Sequence, residues 1–156
     1  MSNSKAALVL GVDSSTQSTK VEIRNLQTGV VVAQSSAKHP PTTPPVSEQD
    51  PNAWWHALSA CLEETKDHLT DVVGISIAGQ QHGLVMLDEK GEPLRPAKLW
   101  NDTTSAPQSE ALIEKLGASR WVEGCGSLPS ASFTAVSYTH LRAHETRGQS
   151  RMPSSA

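Results

Sequence analysis

The alternation of apolar and polar positions divides the chain into short segments of contrasting period. Leu8-Val9-Leu10-Gly11-Val12 is a nearly continuous apolar run ended by Asp13, the pattern of a strand buried on both faces. Ser14 to Ser18 is a polar turn, and Thr19 to Arg24 then alternates as a half-buried strand does. Thr28-Gly29 marks another turn before Val30 to Ser35, a third strand. Three strands joined by tight turns make an antiparallel meander. The run from His39 to Pro45 is neither helix nor central strand, because its prolines remove donors and fix φ.

A helix starts after that loop. Asp50 is placed to cap it, and Pro51 stands at its first position. Trp54, Leu58, Cys61, Leu62, Thr65 and Leu69 recur at helical spacing and give it one face to bury. Val72 to Ala78 repeats the buried-strand pattern. Leu84 to Leu87 is matched with Lys98 to Trp100 as a hairpin around a turn at Asp88 to Gly91. Ser105 to Leu116 predicts a second helix, stopped by Gly117. The order is mixed α/β rather than a run of βαβ units.

At 156 residues the chain has about one domain's length. Its 37% hydrophobic and 19% charged content, with mean hydropathy −0.36, excludes a collagen, a coiled coil or a highly charged disordered chain. A net charge of −3 supplies no basic field for nucleic acid or anionic lipid. The longest apolar run, Ala6 to Val12, is far short of the roughly 18–20 residues that span a bilayer, and no cleavage site follows it. The reading is a soluble, cytoplasmic protein with neither nucleic acid nor membrane as partner. Cys61 and Cys125 lie far apart with no CxxC, which fits ordinary thiols better than a zinc site or a disulfide.

Charge is unevenly placed. Residues 137–156 hold Arg142, Arg147 and Arg151 against Glu145, a net +2 that leaves −5 on residues 1–136. Leu141 is the segment's only Leu, Ile, Val or Phe, so the segment is expected to be disordered. The string from Ser137 to Thr146 also resembles read-through found at the ends of assembled fragment sequences. The expectation is a non-native tail on a partial domain of residues 1–136, with a native basic tail as the alternative.

Three segments carry candidate chemistry. Asp13-Ser14-Ser15-Thr16-Gln17-Ser18-Thr19-Lys20 follows a buried strand. A carboxylate there can hold Mg²⁺ through retained waters, and a turn rich in hydroxyls and N–H groups can cradle phosphate. A polar hairpin turn with a solvated Lys20 accounts for the same residues, and no Walker A pattern occurs. Gly79-Gln80-Gln81-His82-Gly83 also follows a strand. Gln81 and His82 offer the donors and acceptors that read sugar hydroxyls, although a glycine-bounded turn fits equally. In Leu99-Trp100-Asn101-Asp102, the indole can stack on a sugar's C–H face with Asp102 orienting neighbours. Asp102 can as well be a helix cap, and Trp100 a core residue. Trp54 belongs to the buried helix face, and His39, His56 and His68 are expected in solvent.

In order and spacing, these segments, with Ser47-Glu48-Gln49-Asp50-Pro51, Trp54-Trp55 and Leu128 to Ala135, resemble the N-terminal lobe of the FGGY carbohydrate kinases, in particular the xylulokinases. The resemblance is traced over residues 6–136. It implies the N-terminal portion of a ribonuclease-H-like, actin-type ATPase domain, and transfer of a phosphoryl group from ATP with Mg²⁺ to D-xylulose. Gln-x-His-Gly at the sugar site marks the xylulokinases, where glycerol kinases have Arg-Glu. On that basis Gln81, His82, Trp100 and Asp102 would contact the sugar. Asp13 would sit near the metal, and Ser14, Ser15, Thr16 and Lys20 near the nucleotide phosphates. The family's catalytic aspartate and adenosine pocket lie later than any segment here, so no catalytic residue is assigned and no kinase activity is expected of these 156 residues. A homodimeric parent is compatible with the resemblance. A non-catalytic sugar-binding lobe, and a relative acting on another ketose or polyol, are the alternatives.

Overall fold

The structure, a computed structural model, describes residues 6–149. The expected meander is present as β1 (Leu8–Ser14), β2 (Ser18–Asn25) and β3 (Val31–Lys38), each antiparallel to the next. Asn25 makes the second turn by accepting the N–H groups of Gln27 and Thr28, at 3.0 and 2.9 Å. Gly29, at φ 72°, then supplies the left-handed residue that returns the chain to β3. After a two-residue strand β4 (Glu48–Gln49) comes α1 (Pro51–Glu64), capped by Asp50, whose carboxylate accepts from Asn52 N at 2.9 Å. Thr65 turns its hydroxyl back onto the Cys61 carbonyl, and a separate turn α2 (Lys66–Leu69) replaces the last part of the expected helix.

The chain then crosses the sheet and adds β5 (Val72–Gly79) parallel to β1, giving the order β3-β2-β1-β5. Leu8, Leu10, Val12, Val21, Ile23 and Cys61 form the core between this sheet and α1. Helix α1 lies over β2 and β3. That placement corrects the expectation of a fully buried Val72–Ala78. Ile75 and Ile77 pair in register with Leu10 and Val12, yet Val73, Ile75 and Ile77 are 66, 65 and 69% exposed. A run of apolar residues predicts a strand; it does not say whether the strand is central.

The expected hairpin from Leu84 to Trp100 is reduced to single bridges, Leu84 to Lys98 and Leu87 to Pro93, because Pro93 and Pro96 cannot donate to a ladder. Residues Ala97–Lys98 (β6) pair instead with β4. The second helix, α3 (Ala106–Leu116), ends at Gly117 as expected, and α4 (Ala118–Cys125) follows it unforeseen. Ser105 and Ser109 of this region donate to the carbonyls of Ala131 and Pro129, pinning the next loop against α3.

From Ser137 onward the sequence reading expects disorder. Thr134–Gln149 forms α5, with Val136 and Ser137 buried at 0 and 1% exposure. Ala, Leu, Arg and Glu are good helix formers and no proline interrupts them, so local propensity outweighs the sparse apolar content. Residues 150–156 of the expected tail lie outside the described residues. Among the described residues no helix is long and apolar enough to cross a membrane.

Candidate functional site

The parallel pairing of β1 and β5 brings their C-terminal ends side by side, so the loops that follow them meet. Gln80 N donates to the Ser14 carbonyl at 3.2 Å. A cavity of about 330 Å³ opens there, and its walls include Asp13, Ser15, Thr16, Gln81, His82 and Trp100. Six of the nine expected site residues therefore share one cavity.

Thr16 joins its walls. Its hydroxyl accepts from Trp100 Nε1 at 2.9 Å and donates to Gln80 Oε1 at 3.3 Å. Trp100 is consequently half exposed beside the hydroxyl turn rather than packed in the core. His82 sits at φ 61°, a left-handed conformation uncommon for a residue with a Cβ, and its ring stacks on Phe133 with centroids 4.7 Å apart and planes at 18°. Such backbone strain collects at ligand sites. The flanking glycines are not forced by crowding, since a Cβ on Gly79 or Gly83 would meet its nearest neighbour at an ordinary 3.7 Å.

The three other expected residues stand apart. Ser14 Oγ accepts from Thr19 Oγ1 at 3.4 Å. Lys20 lines a neighbouring cleft of about 810 Å³ that shares Ser15, Thr16 and Trp100 with the first. Asp102, expected beside a sugar, lines neither cavity.

Residues 8–154 match the family model described as the N-terminal domain of the FGGY family of carbohydrate kinases, reaching beyond Val136 where the resemblance was traced. The chain belongs to the FGGY family. It is similar to the xylulose kinase of Streptomyces rubiginosus, with 49% identity over 146 residues, which are 93% of this chain and 30% of that protein. Among solved structures it is similar to the xylulose kinase of Bifidobacterium adolescentis, at TM-score 0.78 and 43% identity over 86% of this chain and 29% of the other. A Plasmodium falciparum glycerol kinase with ADP gives TM-score 0.76 at 25% identity, over 85% of this chain and 28% of that one. The fold is thus that of the N-terminal domain of sugar kinases, the actin-like ATPase fold. The FGGY chain here spans about 30% of the length of the curated relatives it matches.

Within the FGGY domain, Asp102 anchors the loop that carries Trp100. Its carboxylate is 0% exposed: Oδ1 meets Lys98 Nζ at 2.9 Å and the Thr104 N–H and hydroxyl, while Oδ2 accepts from Ser47 N at 2.9 Å. Burial pushes the carboxyl up, but Lys98, Thr104 and the Ser47 N–H outweigh it and hold it below the ordinary aspartate range. Fully buried and bonded at both oxygens, it faces neither cavity, where the sequence reading has it touch the sugar. It does not cap α3 either, whose N-cap is Ser105.

Other residues were misjudged or missed. His39, expected in solvent, is 7% exposed with Nε2 2.8 Å from Thr19 Oγ1, since its N–H bonds to the Gln17 carbonyl and turns the ring inward. Lys98, 3% exposed, and Phe133 went unassigned. Phe133 is the chain's single phenylalanine, the one hint the sequence held.

Proposed function

We propose that this chain is the N-terminal part of an ATP-dependent sugar kinase that phosphorylates D-xylulose to D-xylulose 5-phosphate. The observation that carries this reading is the Thr16 hydroxyl, bonded to Trp100 on one side and Gln80 on the other, which unites the hydroxyl turn, the Gln-Gln-His-Gly loop and the indole in one cavity. Gln81 and His82 read the ketose hydroxyls, and Trp100 presents its face to the carbon skeleton. Ser15 and Thr16 receive the nucleotide phosphates, with Lys20 adding charge from the adjoining cleft, while Ser14, which lines neither cavity, supports the turn from behind through Thr19.

The donor set fits Mg²⁺ carried on ATP. Asp13 is an exposed carboxylate at a strand end, and among the described residues no group of three or more His, Cys, Asp or Glu could form a protein cage. One carboxylate with retained waters is how Mg²⁺ is commonly held. Held there, such an ion would supply charge neutralisation during phosphoryl transfer. Neither a general base nor an adenosine pocket is assigned to these residues, so the chain alone transfers no phosphate; a homodimeric parent belongs to the same reading.

The test is a titration of D-xylulose into the chain, read by tryptophan fluorescence. Saturable quenching that His82→Ala abolishes supports the assignment. Equal response of wild type and variant, or none in either, rejects it.

A further inference from the structure

We propose that Gln49 is the positioning residue of this site, acting through Thr16 rather than on a ligand. The inference rests on the sugar-kinase reading for its consequence and on geometry for itself. Gln49 is 3% exposed. Its Nε2 donates to the carbonyls of Thr16 at 3.0 Å and Pro40 at 2.6 Å, and its Oε1 accepts from Trp54 Nε1 at 2.8 Å. One amide therefore ties together the hydroxyl turn, the proline loop and the first turn of α1. The strand that carries it, β4, pairs with β6, whose last residue lies two positions before Trp100. Thr16 is thus held by its carbonyl on one side, while its hydroxyl meets Trp100 and Gln80 on the other. The residue at which the cavity walls meet is fixed by Gln49.

The position calls for an amide. Two carbonyls need donors and an indole N–H needs an acceptor, and a side-chain amide offers both. A glutamate of the same length keeps the acceptor for Trp54. When ionised, it turns an oxygen on the Thr16 and Pro40 carbonyls and donates to neither.

The experiment is Gln49→Glu in the 156-residue chain, followed through the indole N–H resonances of Trp54 and Trp100 and through D-xylulose titration. The Trp54 resonance should stay near its wild-type position and the Trp100 resonance should move. Sugar affinity should fall by about tenfold or more, the weight of one or two lost hydrogen bonds. Facing carbonyl oxygens in a buried site, the new carboxyl should protonate above the ordinary glutamate value of about 4.3, regain one donor, and return Trp100 toward its wild-type position as pH falls. Wild type should show no such return. Thr16→Val should move Trp100 alone. A folded Gln49→Glu chain with an unmoved Trp100 resonance overturns the proposal. If that variant does not fold, the unmodified chain decides: the Gln49 amide protons should exchange slowly, and exchange at the rate of an exposed amide overturns it. A wild-type chain that ignores D-xylulose while its resonances behave as stated sinks the sugar reading and leaves the positioning role standing.

Discussion

Burial alone would make Asp102 a weak acid poorly suited to its place, and the groups around it reverse that. Lys98, 3% exposed, shares the interior with it, so the pair is a buried ion pair completed by hydrogen bonds from Thr104 and Ser47. Removing one partner of such a pair strands the other's charge and costs about 3–5 kcal/mol. Glu48 Oε1, 3.4 Å from Lys98 Nζ, offers partial relief, so Asp102→Asn should cost near the lower end, read as a lower urea midpoint. The pH dependence follows from the lowered carboxyl value. Stability from this group is complete above the ordinary value of about 3.9 and is lost as pH falls from there through the folded value. Wild type should lose that stability on acidification, and Asp102→Asn should show a flatter profile below pH ~4. Identical profiles would remove the group from the account. The sequence suggested cap or ligand because a lone Asp before a helix carries no sign of the lysine that folding brings beneath it.

Elements were legible where period alone specifies them. The cap at Asp50 could be read from residue type and spacing, and it is worth about 1 kcal/mol: Asp50→Ala should lower stability by that much with α1 otherwise intact. Lateral position in the sheet was not legible. Leu8–Val12 and Val72–Ala78 carry the same kind of run, yet Ile23 beside the first is 0% exposed and Ile75 on the edge strand is 65% exposed. Truncating Ile23 to alanine should cost about 2–5 kcal/mol, whereas Ile75→Ala should cost well under 1. Equal costs would mean that β5 is covered in solution. The loops of the site fall between these cases. Their residues were readable as chemistry, but their meeting depends on β5 lying parallel to β1, a pairing of distant segments that no local pattern encodes.

Taken whole, the molecule has one well-covered sheet face and a bare margin. Val73, Ile75 and Ile77 continue the core side of the sheet past the reach of α1, and no charged residue or proline interrupts Val72–Gly79. An uninterrupted, uncharged edge strand is a ready template for pairing with another chain, and a contiguous apolar strip beside it adds to the tendency. Net charge of −3 on 156 residues opposes association only weakly. The chain should therefore associate as concentration rises, seen as increasing light scattering and as binding of an apolar dye. Placing like charges on the strip with Ile75→Lys and Ile77→Lys should suppress both signals. Because these side chains make little of the core, the double variant should keep its far-UV spectrum, which separates loss of association from loss of fold. Scattering that is unchanged by the two lysines would locate the association elsewhere, and a wild-type chain that stays monomeric would mean that the strip is shielded in solution.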